Sequence, residues 1–423
     1  MHAPPLDAIT QPDAAVAQRA LRRSLRRTEA RRKLWALTLT LPLLVYLLVT
    51  LVVPIGALLL RAVENPEVAT TLPRTVAAIA QWDRRSPPPD AAYVAVAQDL
   101  GAIAEQADAG ALARRLNSEV AGGRSLVMKT VRALPLEAGL TPPQVRAKLL
   151  ELDERWGELS YWQAIAKNGA RWTPDYLLTA VDLKRDEVSG AIRRVDADAA
   201  AFSRILARTF SISATVTVVC LLLGYPLAYW LSTLSARAAN VMMILVLVPF
   251  WTSILVRSAA WIVLLQNNGL VNRFLQWTGL TDAPLPLLFN RVGVVIAMVH
   301  ILLPFMILPL YSVMKTVPPT YLRAAVSLGS TPLAAFFRVY VPQTYPGIGA
   351  GGLLVFILSI GYYVTPALLG GADDQMLSYY IAQYTNVNVN WGMACALGAV
   401  LLSATLVLYA LYRRVVKSEL SLG

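Results

Sequence analysis

Apolar positions in this chain gather into long uncharged blocks. They follow neither the three-and-four spacing of a surface helix nor the alternation of a half-buried strand. The first block, Leu34 to Leu60, has no charged residue, and similar blocks run from Thr209 to Leu234, about Val241 to Leu265, Val292 to Met314, about Ile348 to Leu369 and Trp391 to Tyr412. Crossing the hydrocarbon takes about 20 apolar residues as a helix, and lipid offers no partner to an open backbone. The pattern therefore predicts an all-α membrane protein with six transmembrane helices, at 34–60, 209–234, 241–265, 292–314, 348–369 and 391–412. Arg257 interrupts the third.

Between the first and second blocks the character changes. Residues 61–204 carry 19 basic and 19 acidic residues, alanine-rich runs and scattered proline, as in Arg84-Arg85-Ser86-Pro87-Pro88-Pro89. Apolar spacings of three and four recur in Ala91 to Leu116, Val145 to Ile165 and Tyr176 to Val195, which predicts three or more amphipathic helices. One span precedes this segment, so it is expected outside, as a large helical periplasmic insertion between helices 1 and 2. A cleaved signal peptide is disfavoured, since the first apolar stretch exceeds the roughly 7 to 15 residues of such a core.

Composition agrees: 56% of residues are hydrophobic and 15% charged. The net charge of +12 suggests nucleic acid until its placement is considered. The excess lies in the arm at 1–33, with Arg19, Arg22, Arg23, Arg26, Arg27, Arg31, Arg32 and Lys33, and around the apolar blocks. Such a charge reports topology and meets the lipid bilayer surface; no nucleic-acid partner is expected. Arg237, Lys315, Arg323 and Arg338 fall on the predicted inner side, and Asp282, Asp373 and Asp374 on the outer. Both termini are thus expected in the cytoplasm. Cys220 and Cys395 lie in apolar blocks, as packing residues. With His2 and His300 as the only histidines, neither a histidine triad nor a zinc site is expected, and no metal or cofactor. There is no GxxxxGK[ST] loop, so ATP hydrolysis is expected on a separate subunit.

The predicted inner loop, 315–346, has structure of its own. Pro318 and Pro319 exclude a helix before them, and Thr320 is a plausible N-cap for a helix from Tyr321 to Leu328. Gly329 fits the left-handed position that ends such a helix. Ser330 or Thr331 then caps a second helix with Pro332 at its first position, and Pro342 ends it. Local signals leave two roles open: an interfacial anchor, or a rigid contact presenting Ala324 and Ala325 to a partner's groove.

The run Arg323-Ala324-Ala325, then Gly329 after three residues and Val339-Tyr340-Val341-Pro342 after nine more, resembles the EAA loop of permease subunits in binding-protein-dependent ABC importers. Arg323 stands where that loop usually has an acid. From about Ser203 to Val416 the chain is similar to spermidine/putrescine-type permeases, in Pro249-Phe250-Trp251-Thr252-Ser253 with Arg257 and Trp261, in Asn268-Gly269-Leu270-Val271-Asn272, and in Gly361-Tyr362-Tyr363-Val364-Thr365-Pro366-Ala367-Leu368-Leu369-Gly370-Gly371. The resemblance implies a permease core at 205–416 in the bacterial inner membrane, importing a polyamine or a related small solute. It also implies a cytoplasmic ABC ATPase dimer, a second permease subunit that is a different chain, and a periplasmic solute-binding protein. The ATPase contact would then be Tyr321, Arg323, Ala324, Ala325, Gly329, Val339 and Pro342.

Candidate pathway or gate residues are Trp251, Arg257, His300, Tyr362, Tyr363, Asp373 and Asp374. Each has a plainer reading. Arg257 snorkels outward or pairs with protein; His300 satisfies a backbone carbonyl near Pro304; the three aromatics form an interface belt; the two aspartates are a solvated loop. Two rival classes remain: a membrane-anchored interaction or sensor protein acting through its insertion, and a secondary transporter, which internal repeats or mid-membrane charges would favour.

Overall fold

The computed structural model describes Trp35 and residues 38–103, 106–137, 139–186, 189–196, 198 and 200–420, with side chains placed up to residue 414. The basic arm of 1–33 lies outside the described residues. The chain divides into two units, one ending at Leu60 and one running from Arg61. The first holds all but the last residue of α1, Thr38–Arg61, a helix that at 24 residues spans about 36 Å. Its backbone widens into a π-turn at Leu48–Val52 just before Pro54, where the ring has no N–H to give to the helix ladder.

The second unit opens with short helices, α2 (Pro66–Thr71), α3 (Pro73–Ala78), α4 (Asp90–Gly101), α5 (Gln106–Glu119), α6 (Gly123–Ala133), α7 (Pro142–Leu152) and α8 (Leu159–Asn168). They share a core of Leu72, Tyr93, Leu100, Leu116, Trp156 and Trp162. Each buried indole N–H finds an acceptor, Trp156 Nε1 on Thr130 Oγ1 at 3.0 Å and Trp162 Nε1 on the Trp156 carbonyl at 2.8 Å. A polar knot is buried beside them. Asn65 Nδ2 donates to Asn168 Oδ1 at 3.0 Å, Arg115 Nε donates to Asn65 Oδ1 at 3.0 Å, and Arg115 pairs with Glu119 at 2.8 Å.

The apolar run beginning at Ala91 divides into α4 and α5, separated at Ala102–Ile103. The third expected helix is not one. Over Tyr176–Val195 the chain makes α9 (Asp175–Ala180), turns at Asp182 with φ +57°, and forms a hairpin of β1 (Leu183–Arg185) against β2 (Ile192–Arg194). A left-handed residue cannot continue a helix, and Gly190, with φ +70°, supplies the return turn.

The long apolar helices follow. α10 (Phe202–Thr233), α11 (Ala236–Leu247), α12 (Ile254–Leu265) and α13 (Leu270–Trp277) precede α14 (Arg291–Met314). After a pair of short helices, α15 (Pro319–Ser327) and α16 (Pro332–Gln343), come α17 (Tyr345–Gly361), α18 (Val364–Leu369), α19 (Leu377–Asn386) and α20 (Trp391–Leu420). α14 is central, with Ala297, Ile301 and Met306 fully buried against α10 and α17. Glycines set how closely the three approach: a Cβ on Gly224 of α10 would meet Met306 at 3.1 Å, and one on Gly351 of α17 would meet the Met306 carbonyl at 3.1 Å.

Among the described residues five helices are long and apolar enough to cross a membrane, or six if the bent pair α16 and α17 counts as one. Two expected spans are broken. That at 241–265 divides into α11 and α12, where Pro249 removes a donor and Thr252 and Ser253 leave helical geometry. That at 348–369 stops at Gly361 and restarts as α18. Asn272, expected in a loop, is buried on α13 and ties it down: it donates to the Gln266 and Leu285 carbonyls and accepts from the Leu285 N–H at 2.8 Å.

Candidate functional site

The segment from Lys315 to Gly347 joins the central helix α14 to α17. α15 begins with Pro319 at its first position, so Thr320 lies inside the helix and Pro318 precedes it. It ends in a paired turn: Gly329 N–H donates to the Val326 carbonyl at 3.0 Å and Ser330 N–H to the Ala325 carbonyl at 3.1 Å, with Gly329 at φ +93°. That six-to-one and five-to-two pattern satisfies the carbonyls a helix end leaves open. Thr331 caps the next helix, its Oγ1 accepting from Ala334 N–H at 3.3 Å, with Pro332 following. Pro342 does not stop it. Phe336–Tyr340 forms a π-turn, which absorbs the proline's missing donor, and the helix continues to Gln343 before α17 leaves at 63°.

The two helices differ in how they are held. α16 is anchored, because Phe336 and Tyr340 pack on Tyr229 of α10 with ring centroids 5.2 Å away in both cases. Nearby, Tyr225 and Thr344 share a hydrogen bond of 2.9 Å. α15 is open: Tyr321, Arg323 and Ala324 are exposed and Ala325 half-buried, and Leu328 beyond its end is 89% exposed. Between α15 and the ends of α10 and α14 lies a cavity of about 810 Å³, lined by Tyr229, Lys315, Leu322, Arg323 and Tyr340. Val339 and Pro342 are half-buried on α16.

Of the candidate pathway residues, the structure brings three together. Arg257 on α12 is 9% exposed, so it does not snorkel. Its charge acts on both His300 of α14 and Tyr362 at the break before α18. His300 Nδ1 accepts from Trp261 Nε1 at 3.2 Å, so its partner is an indole and not a backbone carbonyl. Ser258 and Thr365, buried and sharing a 3.2 Å hydrogen bond, lock α12 to α18 beside them. Trp251 and Tyr363 are exposed at 74% and 42% and lie outside this group.

The aspartates separate. Asp373 is exposed and pairs loosely with Arg208 at 3.7 Å, whereas Asp374 is buried, accepts from Gly371 N–H and pairs with Arg291 at 3.2 Å. Asp374 therefore pins the turn after α18 to the start of α14, and only Asp373 fits a solvated loop. Arg208, Arg291 and the Ser258–Thr365 pair carry no local signal, since their partners are 70 or more residues away.

A second concave surface lies where the 61–204 segment meets the end of α19. It encloses about 540 Å³, lined by Arg114, Arg115, Arg124, Tyr176, Tyr384 and Trp391 among others. Tyr176, pushed up to about 12 by burial, stands against Gly392 at the start of α20. Ala180, Ile205, Leu377 and Ala396 complete the apolar joint.

Comparison with known proteins places residues 220–419 in the family described as binding-protein-dependent transport system inner membrane component. The spermidine/putrescine transport system permease protein PotB of Escherichia coli (strain K12) is 36% identical over 196 residues, 46% of this chain and 71% of that one. The protein of the same name in Haemophilus influenzae is 36% identical over 214 residues, 50% of this chain and 74% of its own length. A bacterial alginate ABC transporter structure aligns with half of this chain and 76% of its own, at 18% identity and a TM-score of 0.41. The relatives' match, together with apolar helices fit to cross a membrane, identifies a multi-pass inner-membrane protein. The chain belongs to the permease subunits of binding-protein-dependent ABC importers, in the spermidine/putrescine permease family.

Proposed function

We propose that this chain forms one side of the pathway for a polyamine or a related small organic solute. A periplasmic binding protein delivers the solute, and a separate cytoplasmic ATPase dimer drives its passage. The second permease subunit is a different chain, and both termini of this one lie in the cytoplasm. The observation that carries the reading is the geometry of α15: a short helix, exposed and closed by a left-handed glycine, joined at both ends to helices that pack in the middle of the bundle. Closure of the ATPases would push on Tyr321, Arg323, Ala324 and Ala325. The turn at Gly329 would carry the movement through Val339 and Pro342 into α17, while α14 moves from the other end.

The 61–204 segment is, on this reading, a periplasmic docking surface for the binding protein, with the basic cleft at Arg114 and Arg124 as its centre. The polyamine class rests on the names of the relatives. The test is ATP-dependent uptake of spermidine and putrescine by proteoliposomes holding the chain with its second permease, ATPase and binding protein. Uptake that needs ATP and the binding protein is expected. ATP-driven import of some other solute, with neither polyamine carried, would remove the substrate class and keep the permease.

A further inference from the structure

Arg257 is a buried charge held by an apolar helix. Its Nε has no hydrogen-bond partner among the described residues, and the residue is nine-tenths buried. The ionisable groups its charge acts on are His300 and Tyr362. His300 Nδ1 is occupied as an acceptor by the Trp261 indole, which leaves the ring hydrogen of the neutral imidazole on Nε2. Tyr362 adds a hydroxyl. None of the helices packed here, α12, α14, α17 and α18, carries an aspartate or glutamate.

A buried guanidinium nitrogen with no acceptor is a costly arrangement for a protein to hold. What Arg257 Nε lacks is an acceptor, and none of the described residues supplies one. A carboxylate suits it best, since its two oxygens match the fork of the guanidinium and accept further N–H and O–H groups. We infer that Arg257, backed by His300 and Tyr362, is the seat for a carboxylate that enters from outside this chain, carried on a membrane helix of the second permease subunit or on the solute. The inference rests on the permease reading above. It also qualifies the substrate: a bare diammonium is repelled by an open Arg257 and passes only where the partner subunit's carboxylate already fills the seat.

The experiment is electron cryo-microscopy of the full chain assembled with its second permease and ATPases. One sample has no added solute; the other contains 4-aminobutyrate, a four-carbon amine with one carboxylate. A carboxylate of the second subunit about 3 Å from the Arg257 guanidinium in both samples supports the inference and assigns the source to the partner. The added ligand there in the second sample alone assigns it to the solute. A backbone carbonyl, a lipid headgroup or water alone at Arg257 overturns it. In the same complex, Arg257→Met should lower ATP-driven uptake at least about 30-fold, the lower end of what removing one partner of a buried charge pair costs, and Arg257→Lys should cost much less. Equal uptake by Arg257→Met and the unaltered chain also overturns it. Should the chain fail to assemble with an ATPase at all, the permease reading itself fails, an outcome distinct from assembly with no carboxylate at Arg257.

Discussion

Asp182 accepts a hydrogen bond from the Ser203 N–H at 2.7 Å, and its other oxygen accepts from the N–H groups of Ala201 and Phe202 at 3.1 and 3.0 Å. A carboxylate in the hairpin region thus caps the first turn of α10, the helix at whose far end Tyr229 meets α16. Burial pushes the Asp182 carboxyl up, but the hydrogen bonds from Ser203, Phe202 and Ala201 outweigh it and hold the group below the usual range. Its contribution is therefore complete above the unfolded value of about 4 and disappears as pH falls through the lowered folded value. Asp182→Ala should destabilise the protein by about 1 to 2 kcal/mol at neutral pH, as loss of a helix cap does. Melting curves in detergent from neutral to acid pH should show the gap closing below about pH 4. A gap that is constant with pH would mean the charge is not what caps α10.

Tyr176 and Gly392 make the second attachment. A Cβ on Gly392 would come within 2.4 to 2.8 Å of the Tyr176 ring, so the α9 aromatic lies on bare backbone at the start of α20. Gly392→Leu should cost about 1 to 3 kcal/mol by overpacking. Tyr176→Ala alone is also destabilising, yet in the double variant it should restore part of the Gly392→Leu loss, since it removes what the leucine strikes. Thermal stability of the four proteins measures the coupling; strict additivity would place the clash elsewhere.

The long helices were legible because lipid imposes a length and a composition that any window of sequence displays. The breaks in them were less so. Pro249 and Pro342 are both prolines in apolar surroundings, yet one accompanies a break and the other is absorbed by a π-turn at Phe336–Tyr340. The packing differs: Phe336 and Tyr340 both meet Tyr229 and Tyr340 is buried, whereas Phe250, which meets Phe305 at 5.4 Å, stays exposed. The hairpin at Leu183–Arg194 was hidden because Tyr176 to Val195 keeps helical spacing, while the decisive feature is the left-handed backbone of Asp182, which its bonds to Ala201, Phe202 and Ser203 stabilise. The candidate loop was legible to the residue at Gly329 and to one of two residues at the next cap, which the structure gives to Thr331, since caps are local. The grouping of Arg257 with His300 and Tyr362 was not, because it depends on three helices meeting.

Asp373 and Asp374 are adjacent in sequence and opposite in environment, which separates attraction of a cation from structural pairing. Asp373→Asn should leave stability within about 0.5 kcal/mol, as expected for an exposed pair. Asp374→Ala should cost about 1 to 3 kcal/mol, because it leaves Arg291 and the Gly371 N–H without their buried acceptor. Uptake of spermidine at low and physiological salt should be unchanged by Asp373→Asn. A salt-dependent loss in that variant would instead make Asp373 part of the entrance field.

At Gly329 the requirement is conformational and not spatial. An added Cβ would meet nothing within 4 Å, in contrast to Gly347, where it would press on Val313 at 3.1 Å and the Pro309 carbonyl at 3.3 Å. The penalty for replacing Gly329 therefore comes from its φ of +93° alone. It amounts to about 1 to 2 kcal/mol for alanine, more for a β-branched residue, and least for asparagine, which tolerates left-handed backbone. If the turn transmits movement between α15 and α17, coupling should follow that order. Gly329→Asn should retain most ATP-driven uptake, Gly329→Ala less, and Gly329→Val should leave ATP hydrolysis unresponsive to the loaded binding protein. All three should still enter the membrane and assemble, because no side chain is displaced. Gly347→Val should behave differently, lowering the yield of assembled complex by forcing α14 and α17 apart. Measuring assembly and coupling on the same preparations separates the two effects, and normal coupling in Gly329→Val would end the assignment of this turn to force transmission.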